Sequence, residues 1–128
     1  MLHNLMTNRF DGMGHFMAKV EIKPNGPEPD RRSNPPFNFI RWGFWYADDK
    51  VISGVPAGQW DVWPIFLDDK GVPIPDGVGC TGTLLAKMHI VFDESVPRHF
   101  KRLKLGTKFH LKEGHVIVAN GTVTKLGI

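Results

Sequence analysis

Alternation of apolar and polar side chains in the last third of the chain limits what it can fold into. In KRLKLGTKFHLKE, residues 101–113, leucine and phenylalanine alternate with lysine and histidine. This period of two is typical of strands that are buried on one face only. The segment that follows is rich in β-branched residues, and Gly114 and Gly121 supply the backbone freedom that tight turns need. The end of the chain therefore predicts strands joined by tight turns.

Four segments further upstream also have the composition of strands. Residues 18–22 alternate, residues 37–47 are the most aromatic stretch, and residues 60–67 precede a DDKG turn. Pro64 favours an edge strand or a bulge, because proline lacks the N–H that a central strand needs. Residues 83–93 predict a strand, with a helix as the alternative, because Leu, Ala, Lys and Met also favour helices.

These segments and the closing strands amount to six or seven strands, and no segment has a convincing helical period. They predict an all-β fold, either a small barrel or a sandwich. A chain of 128 residues predicts one domain with room for a core. We expect this domain to cover residues 18–128, after a loosely ordered arm at residues 1–17. Residues 23–36 contain five prolines and predict a loop.

Little in the sequence supports catalysis or metal binding. Cys80 is the single cysteine, and DGVGCTGT around it contains no base, so an inert thiol is favoured over a nucleophile. The six histidines form neither an H-x-H nor an H-x-x-x-H pair, which argues against a metal site. Both aspartate doublets lie in a DDK pattern that is typical of turns. We therefore expect no enzyme activity, no cofactor and no metal.

Charge is distributed unevenly, although the net charge of +3 is modest. Residues 87–112 contain seven lysines and arginines against two acidic residues, whereas residues 48–86 contain six aspartates against two lysines. This division predicts a basic and an acidic face, which bears on partners and not on the fold.

No apolar run has the length of a membrane span, and one cysteine gives no reason to expect a disulfide. We expect a cytoplasmic protein with no membrane partner.

Two blocks of the sequence, in the same order, resemble the C-terminal domain of elongation factor Tu. In that family a basic residue, Glu and Gly close one strand, and a G-x-V-x-K pattern forms the last strand. Residues 109–126 match both parts, with Lys112, Glu113 and Gly114 in the first and Val118, Gly121, Val123 and Lys125 in the second.

The other block lies near the start of the domain. The family domain carries an R-x-x-P-x-F segment, an arginine nine residues after the first, and then an aromatic strand. This chain has these residues at the same separations, namely Arg32, Pro35, Phe37, Arg41 and Phe44, followed by Trp45 and Tyr46. The resemblance extends over residues 18–127, except for a Trp-rich insertion around residues 48–79 that is longer than the family segment.

The resemblance implies a small closed antiparallel β-barrel. The chain contains no G-x-x-x-x-G-K-S/T loop, and its length leaves no room for the other two domains of an elongation factor. It is therefore similar to the third domain standing alone, and we expect that this chain by itself binds no nucleotide. Translation-factor activity does not follow from such a domain.

RNA binding is one function that the resemblance implies, because the family domain helps to hold the T-arm of aminoacyl-tRNA. The resemblance assigns contacts to Arg32, Glu113 and Gly114, and the basic run RHFKRLK suits phosphate groups. The predicted contacts to tRNA or another RNA are Arg32, Arg41, Arg98, Lys101, Arg102, Lys104, Glu113 and Gly114. Alternatively, Glu113, Gly114 and Gly121 serve only the turns of the barrel, since hairpin glycines need no partner.

Protein binding is the other function, and the sequence favours it because the Trp-rich insertion departs from the family. Aromatic residues are enriched where proteins meet. The predicted contacts to a protein partner are Trp42, Trp45, Trp60 and Trp63, and strand geometry would place the last two on opposite faces. We expect a non-enzymatic module that regulates or neutralises an unidentified protein. An exposed tryptophan patch would favour this partner, and a continuous basic face from Arg32 to Lys104 would favour RNA.

Overall fold

Six antiparallel strands form a closed barrel in the computed structural model, which describes residues 14–24, 34–38, 40–47, 60–91, 102–114 and 116–126. The strands are β1 (Phe16–Ile22), β2 (Trp42–Tyr46), β3 (Trp60–Phe66), β4 (Thr83–Ile90), β5 (Lys108–Glu113) and β6 (Val116–Leu126). Their order around the barrel is β1-β4-β3-β2-β5-β6, and the pairing of β1 with β6 closes it. The prediction of an all-β closed barrel is confirmed.

The segment with two predicted alternatives, residues 83–93, contains the strand β4 and no helix within its described part, residues 83–91. β4 pairs with β1 on one side and with β3 on the other. Its side chains Ala86, Met88 and Ile90 are buried in the core. Helix propensity is a weak preference, and pairing on both sides together with core burial overrides it here. None of the described residues lies in a helix.

Several strand boundaries differ from the prediction. β1 begins at Phe16, inside the expected N-terminal arm, because this ring is buried in the core. Residues 1–13 of that arm lie outside the described residues. β5 begins only at Lys108, because a turn centred on Leu105 and Gly106 precedes it. Gly106 has a φ of 86°, and the Thr107 N–H donates to the Lys104 carbonyl at 3.0 Å.

Aromatic side chains fill the centre of the barrel. The rings of Phe44 and Phe109 stack with their centroids 4.6 Å apart. The Phe16 ring meets both of them edge-on, at 6.0 Å from Phe44 and 6.2 Å from Phe109. Val62 of β3 and Met88 of β4 belong to the same buried core cluster. Aromatic pairs in these geometries contribute about 0.5–1.5 kcal/mol beyond the burial of their area.

Gly121 lies inside β6 and not in a turn, which corrects the expectation that it separates two strands. It is paired with Phe109 of β5 on one side and with Val20 of β1 on the other. A Cβ placed on Gly121 would overlap the Phe109 ring. Glycine is therefore required because the Phe109 ring covers this point of β6, a role that glycine also has in other sheets.

Pro64 lies where β3 has separated from β2, so the predicted edge character holds for part of the strand. The pairs between β2 and β3 end at Trp42 and Val62, whereas β3 pairs with β4 as far as Phe66. The Asp61 carbonyl and the Leu67 N–H bond to the β4 side. Because backbone groups alternate along a strand, the nitrogen of Pro64 faces the side that β2 has left. A missing N–H costs nothing there.

The amide of Asn38 takes the place of a strand beside Phe66. Its Oδ1 accepts the Phe66 N–H at 2.7 Å, and its Nδ2 donates to the Phe66 carbonyl at 3.1 Å. The same nitrogen donates to the Ile74 carbonyl at 2.8 Å, and the Ile74 N–H donates to the Phe66 carbonyl at 3.0 Å. One buried side chain therefore satisfies the backbone that β2 leaves uncovered.

We predict that Gly121→Ala destabilises the protein by about 1–3 kcal/mol, because the new methyl group collides with the Phe109 ring. Urea unfolding followed by tryptophan fluorescence measures this loss. Phe109→Leu in the Gly121→Ala background removes part of the collision, so the double variant should lose less than the two single variants together. Exposed Thr124 on the same strand supplies the control, Thr124→Ala. Strictly additive losses would contradict this account of the glycine.

Candidate functional site

The structure describes only some of the predicted RNA contacts, since Arg32, Arg98 and Lys101 lie outside the described residues. Arg41 donates from Nε and Nη2 to one oxygen of Asp61, at 2.9 and 2.6 Å. The guanidinium of Arg102 lies over the Tyr46 ring, 3.8 Å from its centroid. Lys104 is exposed. The two arginines of this set that the structure describes, Arg41 and Arg102, thus already hold partners within the chain.

The end of the β5–β6 hairpin has a structural role. The indole N–H of Trp42 donates to Glu113 Oε2 at 2.9 Å, although the two residues are 71 positions apart. Gly114 has a φ of 62°, a left-handed conformation that glycine adopts at little cost. This geometry supports the interpretation that Glu113 and Gly114 serve the turn and its anchoring to β2.

The predicted tryptophan contacts do not form an exposed patch in the part of the chain that the structure describes. Trp42 is 1% exposed and lies in the core, which removes it from the expected contact surface. Trp45 and Trp63 are partly buried. Lys112 Nζ lies 4.0 Å from the centroid of the Trp45 ring, and the buried Trp45 Nε1 has no hydrogen-bond partner among the described residues. The backbone of Trp60 pairs with Phe44, and its side chain lies outside the description.

Exposed apolar side chains occur instead on two connected loops. Phe37 is 48% exposed, Val78 is 48% exposed and Val72 is 54% exposed. We call these three residues the loop surface. Gly79, the residue after Val78, packs against the other loop. A Cβ placed on Gly79 would lie 3.9 Å from the Phe37 ring and 2.8 Å from Pro35, so the backbone beside Val78 is close to Phe37. The sequence predicted a DDKG turn after residues 60–67 and gave no sign of which of the following side chains are exposed.

Hydrogen bonds hold the loop surface in place. The Asp68 carboxylate accepts the N–H groups of Lys70 and Val72 at 2.8 and 3.0 Å. The Cys80 N–H donates to the Pro36 carbonyl at 2.7 Å, which ties the loop to residues 34–38. The Asn38 side chain bonds both to Phe66 of β3 and to the Ile74 carbonyl of the loop, and so joins the loop to β3. The apolar side chains are thus presented from a backbone that is fixed at three points.

Cys80 is buried behind this loop. Its side chain has no exposed surface, and burial raises the pKa of the thiol above its ordinary value of 9.0, while a hydrogen bond with the Asn38 backbone lowers the pKa less. A thiol with a raised pKa carries little thiolate at neutral pH, and the thiolate is the nucleophile. The site therefore fits the inert thiol that the sequence predicted.

A polar cleft crosses the outer face of β1, β6 and β5. We define it by Lys19, Glu21, Lys108, His110, Asn120 and Thr122, which line a volume of about 520 Å³. The short side chains Asn120 and Thr122 alternate on β6 with the inward-facing Gly121, and so form the floor. The longer side chains of the two neighbouring strands form the walls. Short side chains on β6 between longer side chains on its two neighbours thus leave a trough on the outer face of the sheet.

The strand register arranges the cleft in two rows. Lys19 and Lys108 stand directly on either side of Thr122. In the next row, Glu21 and His110 stand on either side of Asn120. His110 Nδ1 lies 2.6 Å from Asn120 Oδ1, a distance at which the ring donates to this oxygen when Nδ1 bears the hydrogen. The sequence showed each alternation separately, but the register that joins the three strands comes from the structure.

Comparison with protein families and with curated proteins identified no relative of the chain. Within the described residues, no group of three or more His, Cys, Asp or Glu side chains is placed to hold a metal ion. The same part of the chain offers no helix long and apolar enough to cross a membrane.

We predict that Glu113→Ala destabilises the protein by about 1–3 kcal/mol, because it leaves the indole N–H of buried Trp42 without an acceptor. Glu113→Gln should retain most of the stability, since its amide oxygen still accepts this N–H. Urea unfolding of both variants makes the comparison. Glu21→Ala is the matched control, because it removes an exposed carboxylate with no such bond. An equal loss in Glu113→Gln and Glu113→Ala would contradict the assigned hydrogen bond.

We predict that Cys80 makes the stability of the protein fall in alkaline solution. The pKa of the thiol is raised in the folded state, so the unfolded thiol ionises first. Its contribution to stability is complete below the ordinary pKa of 9.0 and is lost as the pH rises through the higher folded pKa. Unfolding free energies at about pH 8 and about pH 10 measure the change. Cys80→Ala should lose less stability over this interval, and an identical loss would overturn the assignment.

Proposed function

We propose that this chain is a cytoplasmic, non-enzymatic protein-binding module of the type that the C-terminal domain of elongation factor Tu represents, and that its partner binds the loop surface. The observation that carries the proposal is the exposure of Phe37, Val72 and Val78 on two connected loops that hydrogen bonds hold in place. Binding at such a surface removes apolar area from water and orders little of the backbone.

The charge around the loop surface indicates the chemistry of the partner. Residues 67–80 contain Asp68, Asp69 and Asp76 but only one cation, Lys70. Asp69 and Asp76 are exposed. We therefore expect the partner to present an apolar centre with basic residues around it, since complementary charge speeds encounter and selects partners.

RNA binding remains the alternative, and the described contacts favour it less. Arg41 is engaged with Asp61, Arg102 with the Tyr46 ring, and Glu113 with the Trp42 indole. Each of these groups would exchange an interaction within the chain for one with RNA. The apolar loop residues need no such exchange.

We predict that Val78→Asp abolishes retention of the partner in affinity capture, because a charge replaces an apolar contact in the interface. The immobilised wild type, Val78→Asp and Leu105→Asp are exposed to the same extract, and retained proteins are quantified by mass spectrometry. Leu105 is 68% exposed in the turn before β5, so Leu105→Asp is the matched control. The proposal expects a protein retained by the wild type and the control and lost with Val78→Asp.

Two results would contradict the proposal. One is retention that does not distinguish Val78→Asp from the wild type. The other is retained material that ribonuclease removes and that falls steeply in amount as salt rises, which would instead support RNA binding. Circular dichroism of each variant establishes that the barrel is intact before the capture is interpreted.

A further inference from the structure

We propose that the polar cleft binds a small phosphate ester that also carries hydroxyl groups, of the class of the sugar phosphates. The cleft lies on the outer face of β1, β6 and β5, and it shares no residue with the loop surface. This proposal therefore depends on neither the protein partner nor the loop.

The row that contains Lys19, Thr122 and Lys108 suits the phosphate group. The two lysines lie on strands that flank β6, so their Cα atoms are about 10 Å apart, twice the spacing of adjacent strands. Neither forms an ion pair with any described carboxylate. Two ammonium groups and the Thr122 hydroxyl between them can converge on one phosphate, whose charge strengthens each hydrogen bond.

The row that contains Glu21, Asn120 and His110 suits hydroxyl groups. It lies two residues further along the strands, which is about 6.6 Å. The Glu21 carboxylate accepts hydrogen bonds and would repel a second phosphate. Because Asn120 Oδ1 faces His110, the Asn120 amide nitrogen is left to donate towards the cleft. Cations in one row and a mixed set of donors and acceptors in the next select a molecule with a phosphate at one end only.

The dimensions of the cleft agree with a small ligand. Its volume of about 520 Å³ lies within the range of about 300–1,000 Å³ that small-molecule pockets occupy. A nucleic acid strand would instead require a continuous line of cations, and Glu21 interrupts that line. An acidic peptide is disfavoured for the same reason.

Titration of the ¹⁵N-labelled full chain with ribose 5-phosphate tests the proposal. We expect saturable shifts of amide signals confined to residues 19–21, 108–110 and 120–122. Ribose without phosphate should give no saturable shifts at the same concentrations. Inorganic phosphate should shift the row of Lys19 and Lys108 and bind more weakly than ribose 5-phosphate, because it lacks the hydroxyl groups.

Variants separate the roles of the two rows. Lys19→Met and Lys108→Met should each weaken ribose 5-phosphate binding about tenfold, since each removes one charge-assisted hydrogen bond. Glu21→Gln should weaken ribose 5-phosphate but not inorganic phosphate. Lys70→Met is the matched control, because it removes an exposed lysine that does not line the cleft.

Three results would overturn the proposal. The first is the absence of saturable shifts in the cleft with ribose 5-phosphate. The second is an equal loss of affinity in Lys70→Met, which would indicate nonspecific attraction of anions to lysines. The third is tight, salt-sensitive binding of bulk tRNA at the same amides with none of ribose 5-phosphate, which would assign the cleft to RNA.

Discussion

The contact between the Phe109 ring and the backbone of Gly121 determines how this barrel closes. The ring stacks on Phe44, meets Phe16 edge-on and covers β6 at the residue that also pairs with Val20 of β1. A small barrel is stable only when side chains fill its interior, and here one ring lies where the closing strand must pass. The aromatic centre and the closing pair of strands therefore depend on the same glycine.

The sequence predicted the strands well because the alternation of side chains survives in the fold. It failed where a residue has two physical roles. Gly121 suggests a turn by composition, yet its partner is a ring twelve positions earlier in the chain, which local pattern cannot reveal. Residues 83–93 carried helix formers, and only the strands on both sides of β4 decided between the two alternatives. In both cases the structure was determined by contacts between residues far apart in the chain, which local propensity does not predict.

The candidate sites were less predictable than the fold, because they depend on which side chains face water. Tryptophans suggested a contact surface, but Trp42 fills the core and gives its N–H to Glu113. Two of the exposed apolar residues, Val72 and Val78, lie instead on a loop that Asp68 and Asn38 hold in place. The polar cleft likewise exists only after three strands come into register. Its residues were each unremarkable in the sequence.

The gap beside Pro64 bears on how the protein behaves at high concentration. A strand that leaves its neighbour exposes N–H and C=O groups to which a strand of another molecule can add. In this barrel the first such position is a proline, which offers no donor, and the next is occupied by the Asn38 amide. The chain thus protects this side of β3 against self-association by strand addition, and Asn38 does so while it also fixes the loop that carries the proposed protein-binding surface.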